Sequence, residues 1–171
     1  MTSKLINQLC LIFFISLFLG CKSEKNYSSK NPNIIIIYTD DLGYGDVSAY
    51  SKGTLNTPNI DKLANEGIRF NNGYASSATC SPSRYALLTG TYPWRKTDLR
   101  VITGGSLVID TTEITIPKIL KNKGYHTGIV GKWHLGLGSG DGVAGSGIID
   151  YNSYISPGPN QVGFDYSHIM P

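Results

Sequence analysis

Apolar residues come in two rhythms near the start of the chain. Leu9-Cys10-Leu11-Ile12-Phe13-Phe14-Ile15-Ser16-Leu17-Phe18-Leu19 is a block that follows Lys4, whereas Ile34-Ile35-Ile36-Ile37-Tyr38 is a shorter, β-branched run. The first has the basic start and apolar core of an export signal and is too short to cross a bilayer as a helix. The second lacks alternation, which is the pattern of a strand buried on both faces of a parallel sheet. Residues 22–32 between them are polar, rich in Ser, Asn and Lys, and unpatterned, as a tether is.

Capping signals then mark helices. Thr57-Pro58 combines an N-cap with a first-turn proline, Ile60, Leu63 and Ala64 form an apolar stripe, and Gly67 supplies a stop. Ile68-Arg69-Phe70 is a short strand candidate. Ser81-Pro82 repeats the cap-plus-proline pattern, which predicts Cys80 just ahead of a helix running to about Leu88, with Gly90 past its end. Thr115-Ile116-Pro117 is a third instance, continuing through Ile119-Leu120 to Gly124. The strand-like stretch Tyr125 to Val130 leads into Gly131-Lys132-Trp133-His134-Leu135-Gly136, and Gly138 to Gly147 is a glycine-rich loop. This alternation predicts an α/β class with a mainly parallel central sheet sandwiched by helices. In such sheets function collects in loops beyond the carboxyl ends of strands. Asp40-Asp41 and the Lys132/His134 pair fall at such loops, and Cys80 can reach the same rim.

Composition narrows the classes. The 171 residues have the apolar and charged fractions of an ordinary globular domain, and the net charge of +3 includes Lys4 in the signal. No basic run is present, so nucleic acid is not an expected partner. Only three cysteines occur, and Cys10 and Cys21 lie in the export segment, which leaves Cys80 as an odd thiol in an exported protein.

Each candidate has a bland reading beside the chemical one. Asp40-Asp41 suits a hard divalent cation, or merely a turn. Cys80 could be a buried small hydrophobe, yet a helix N-terminus there would stabilise negative charge. Arg84, one turn on, shares its helical face and is suited to an oxyanion, or to a surface ion pair. Lys132 and His134, two apart in an extended segment, would project to one side, with Trp133 turned into packing. A lysine can neutralise an oxyanion and a histidine can carry protons near neutral pH. His126 and His168 lack such company and read as structural.

Taken together these residues form a known signature. Cys80-Ser81-Pro82-Ser83-Arg84 with Leu87-Leu88-Thr89-Gly90 resembles the sulfatase signature C-x-P-S-R-x-x-x-L-T-G. Asp40-Asp41-Leu42-Gly43-Tyr44-Gly45-Asp46 is similar to the first metal-binding loop of that family, and Gly131 to Gly136 to its lysine–histidine motif; Gly163-Phe164-Asp165-Tyr166 is similar to arylsulfatase-like bacterial members. The resemblance runs from about Asn33 to the C-terminus and implies the alkaline phosphatase-like fold. It also implies that a maturation enzyme converts Cys80 to formylglycine, whose hydrated gem-diol attacks sulfur. Asp40 and Asp41, with the modified Cys80, would hold Ca²⁺ (Mg²⁺ less so). Arg84 would stabilise and orient the diol, Lys132 would bind a sulfate oxygen, and His134 would help release sulfate.

Family enzymes run to several hundred residues, and their remaining metal ligands, second histidine and second lysine lie downstream of these motifs. The expected organisation is a lipoprotein-type signal over 1–20, a tether over 21–32, and the N-terminal part of a sulfatase catalytic domain over 33–171. Leu19-Gly20-Cys21 resembles a bacterial lipobox, implying a lipid anchor on Cys21 and a periplasmic or cell-surface location; a plain cleaved signal and a retained anchor remain open. The expected substrate is a sulfated small molecule or glycan, with no turnover and only weak Ca²⁺ affinity from these residues alone. The rival readings are a phosphonate monoester or phosphodiester hydrolase of the same superfamily, and a non-catalytic truncated surface lipoprotein.

Overall fold

The computed structural model describes residues 31–51, 55–96, 99–102, 104–139 and 149–171. The export segment with Cys21, most of the tether and most of the glycine-rich loop lie outside them. The chain divides into two compact units, Met1–Thr39 and Asp40–Pro171. In the first, Ile34 to Tyr38 is not assigned as a strand and each of its side chains is exposed, from 41% at Tyr38 to 84% at Ile35. The buried strand expected there is therefore not formed. A β-branched run becomes a strand only when a neighbour supplies its ladder, and none is assigned to it among the described residues.

In the second unit the elements follow the order helix, helix, helix, strand, strand. Helix α1 is Pro58–Glu66, α2 is Cys80–Thr89 and α3 is Ile116–Lys121; strand β1 is Gly128–Lys132 and β2 is Tyr166–Met170. Two 3-10 turns, Tyr44–Asp46 and Pro93–Arg95, punctuate the loops. Strands β1 and β2 pair in parallel, in register from Gly128 opposite Tyr166 to Lys132 opposite Met170. Parallel neighbours so close in sequence need a crossover, here residues 133–165. The Trp133 N–H extends the pairing by one bond, to the Met170 carbonyl at 2.8 Å.

Proline placement accounts for α1 and α3. Pro58 and Pro117 sit in the first turn, where no intrahelical N–H partner is required. Thr115 caps α3 by accepting the Lys118 N–H, and it donates its own hydroxyl to the buried Val162 carbonyl. Helix α1 buries none of its residues, and Leu63 is 65% exposed, so the expected stripe has no cover among the described residues. Ile68-Arg69-Phe70 forms no strand, and Ile68 and Phe70 stand in solvent. The strand expected over Tyr125 to Val130 begins at Gly128 instead, because Thr127 is occupied in binding Gly163 and Asp165.

The core lies between α2 and the crossover. Tyr85, Ile102, Ile109, Trp133, Leu135 and Val162 are its most deeply buried members. Trp133 donates its indole N–H to the Gly136 carbonyl at 2.7 Å and meets Phe164 edge-on, with centroids 6.5 Å apart. Residues 105–108 run against 135–138 through bonds such as Val108 N–H to Leu135 O, at 2.9 Å. Gly136 makes that approach possible: its φ is +75°, and a Cβ there would stand 2.0 Å from the Ser106 carbonyl oxygen.

Candidate active site

Helix α2 starts two residues earlier than its proline suggests. Cys80 is its first residue and Thr79 its cap, while Ser81 is fully buried and turned inward, accepting the Ile102 N–H at 3.3 Å. The serine that resembles a cap is thus a tether between the helix and residues 99–102. Cys80 accordingly sits on the first helical turn, where unsatisfied N–H groups and the helix dipole favour negative charge. Gly90 ends the helix in the left-handed conformation, φ +67°.

Four residues far apart in sequence meet at this helix end. Lys132 Nζ lies 2.6 Å from Asp40 Oδ2 and 3.5 Å from Cys80 Sγ, and Cys80 Sγ is 3.6 Å from Asp40 Oδ1. Arg84, on the same face of α2 one turn on, donates to the Lys132 carbonyl at 2.8 Å and lies 3.4 Å from Asp40 Oδ1. One carboxylate is thereby shared between two cations, and the thiol sits among all three. The lysine ammonium beside it holds the Asp40 carboxyl below the usual range, with Cys80 and Arg84 adding to the effect. Asp40 in turn raises the Lys132 ammonium, so the pair is ionised at neutral pH.

Asp41 follows Asp40 in the chain, and His134 lies two residues past Lys132. Each has a left-handed backbone, φ +54° and +53°, and they are the only non-glycine residues of positive φ among those described. Such backbone costs energy outside glycine and is found disproportionately at functional sites. It also breaks the extended run, so Lys132 and His134 do not project from one strand as alternation would require. Lys132 ends β1, His134 lies beyond it, and its Nδ1 is buried with no hydrogen-bond partner among the described residues. Trp133 does turn into packing.

One set of supporting residues carried no motif signal. Tyr85, next to Arg84, donates its hydroxyl to Glu113 Oε2 at 2.7 Å. Lys96 Nζ binds Glu113 Oε1 at 3.1 Å and lies over the Tyr85 ring, 5.3 Å from its centroid. This network clamps helix α2 to the loops at 96 and 113. A buried tyrosine commonly needs a partner for its hydroxyl, but only the tertiary fold identifies Glu113.

An α/β chain with a cysteine at a helix start, ringed by a carboxylate and two cations, defines a class of site built to handle an oxyanion. Residues 32–167 match the Sulfatase family, and the chain belongs to that family. It is 46% identical over 162 residues to an N-acetylgalactosamine-6-O-sulfatase of Bacteroides thetaiotaomicron, covering 92% of this chain and 30% of that one. A solved structure from work on glycosaminoglycan metabolism by Bacteroides thetaiotaomicron superposes with a TM-score of 0.76 at 49% identity, over 83% of this chain and 28% of that chain. A second, Ps i-CgsB in complex with k-i-k-neocarrahexaose, gives 0.58 at 36% identity, over 76% and 26%. The chain therefore spans under a third of the length of each of these relatives. These neighbours agree with the expected α/β class, of which the parallel β1–β2 pair and its helices are one part.

Proposed function

We infer that the protein is a sulfuric ester hydrolase acting on a sulfated glycan, with formylglycine derived from Cys80 as its nucleophile. The observation that supports this best is the convergence of Asp40, Cys80, Arg84 and Lys132 within 3.6 Å contacts. Sγ stands in for the position of the oxygens that attack sulfur. Lys132 faces that position and neutralises a sulfuryl oxygen, the electrostatic help that dominates such transfers. Arg84, fixed by the Lys132 carbonyl, orients the nucleophile with its planar fork. His134, two residues past Lys132, carries a buried nitrogen with no hydrogen-bond partner among the described residues and is the candidate proton carrier. A glycan substrate draws support from the N-acetylgalactosamine-6-O-sulfatase relative and the carrageenan-oligosaccharide complex.

The donor set suits Ca²⁺ in part. Asp40 and Asp41 offer hard carboxylate oxygens, and Asp40 is now neutralised by two cations. When bound, the ion supplies Lewis-acid polarisation of the sulfuryl group. Among the described residues no group of three or more His, Cys, Asp or Glu could hold a metal, whereas Ca²⁺ takes about 6–8 oxygens. These 171 residues alone are accordingly proposed to bind Ca²⁺ weakly and to lack turnover. Export and a lipid on Cys21 belong to the same proposal; no helix of the described residues is long and apolar enough to cross a membrane.

The test is intact mass of the peptide carrying Cys80 after co-expression with a formylglycine-generating enzyme, alongside hydrolysis of an aryl sulfate and an aryl phosphonate. Aldehyde at position 80 is expected, with no sustained turnover of either ester by these 171 residues alone. An unmodified thiol, or faster phosphonate hydrolysis, overturns the reading. Incorporation of labelled palmitate that Cys21→Ser abolishes tests the anchor.

A further inference from the structure

Beside the start of α2 lies a cleft of about 810 Å³. Its rim carries hydroxyls (Ser76, Ser77, Thr79), its wall is Trp94, and its charge comes from Lys96 and Arg100. Among the described residues its lining includes two cations and no carboxylate. The volume falls in the range of small-ligand sites, roughly 300–1,000 Å³.

The wall is unusual. Trp94 is 70% exposed yet held flat, stacked on Tyr92 with centroids 4.0 Å apart and planes 16° off parallel. A rigid exposed indole presents a large apolar plate at little cost in conformational entropy. A pyranose ring has the complementary shape: a face of C–H groups and an edge of hydroxyls, which Ser76, Ser77 and Thr79 can meet. Arg100 adds a preference for an anionic group, since the charge of Lys96 is already matched by Glu113. Lys96 is fixed by Glu113 and the Tyr85 ring, while Arg100, exposed, offers a planar fork that matches a carboxylate or sulfate.

Position on the helix decides which sugar the cleft would take. Cys80 and Arg84 share one side of α2, whereas Pro82, which also lines the cleft, is turned about 200° from Cys80. The cleft therefore lies on the other flank of the helix start, not over the nucleophile. Ser81 ties the two sides together through the Ile102 N–H. We propose that this cleft is an outer subsite for a sugar next to the sulfated one, in an oligosaccharide that carries a second anionic group. This rests on the sulfatase reading of the Cys80 site.

The chain has two tryptophans, and Trp133 is 1% exposed, so fluorescence changes on saccharide addition report Trp94. The purified protein is titrated with three tetrasaccharides: one with uronate but no sulfate, one sulfated without uronate, and one neutral. Quenching or a blue shift with either anionic sugar and not with the neutral one is expected. The responding arm tells whether carboxylate or sulfate is read. Arg100→Ala weakens the response roughly 10-fold or more, the loss of one charge-assisted contact. Equal binding of neutral and anionic sugars, or an Arg100→Ala titration like wild type, overturns the proposal. The unsulfated sugar needs no turnover, so its binding survives Cys80→Ala. Failure of the subsite and failure of the nucleophile are thus read separately.

Discussion

Removing one hydroxyl from the helix that carries Cys80 tests whether the clamp on that helix is energetic or incidental. Tyr85 is 3% exposed, and its hydroxyl donates to Glu113 at 2.7 Å. Tyr85→Phe keeps the ring in the core and deletes only this bond. A hydrogen bond to a charged group is worth about 1.5–3 kcal/mol. Glu113 retains Lys96 and the Asp110 N–H, and at 25% side-chain exposure it can also recruit water, so the low end applies, about 1.5 kcal/mol. With a urea slope of about 2 kcal/mol per M, the unfolding midpoint falls by about 0.7 M. Alkaline pH gives a second reading. Burial, then the hydrogen bond and charge of Glu113, push the Tyr85 phenol up to about 12. A folded value above that of a free tyrosine, about 10, means full stability below pH ~10 and progressive loss as pH rises towards 12. Tyr85→Phe lacks that alkaline loss. A variant with the wild-type midpoint, or one whose alkaline limb is unchanged, refutes the reasoning.

Three further outcomes follow from individual contacts. Gly136→Ala places a methyl 2.0 Å from a backbone oxygen at a positive φ, so the folded protein is lost, read as absent dispersed amide signals; a native-like spectrum contradicts the packing described. Thr115→Val deletes the α3 cap and orphans the buried Val162 carbonyl, costing about 2–4 kcal/mol in urea unfolding, while Thr115→Ser costs about 1 kcal/mol. Asp165 is held at about 2 by the Lys121 ammonium at 2.6 Å, then by the Thr127 N–H. Its contribution is present above pH ~4 and lost as pH falls towards 2; Lys121→Met raises its carboxyl titration in NMR, though not fully, because Thr127 still donates.

Local chemistry was legible in the chain. Thr57-Pro58, Thr115-Ile116-Pro117 and Gly90 marked helix ends correctly, since caps and prolines act within a turn of themselves. The motif residues Asp40, Cys80, Arg84 and Lys132 were likewise named by type and order. Their meeting at one rim was expected from loop position, but the contacts that make it, spanning 40 to 92 positions, depend on how the chain returns. Ser81 shows the limit: next to proline it resembles a cap, yet a buried N–H of Ile102 claimed its hydroxyl. His134 shows another, since period-two alternation assumes extended backbone and its φ of +53° does not provide it. The run at Ile34 to Tyr38 and the stripe on α1 carry the patterns of buried elements, but a pattern states only what an element needs. Whether a neighbour arrives to bury it is a tertiary matter: α2 found cover and buries Tyr85 and Ala86, and β1 and β2 found each other.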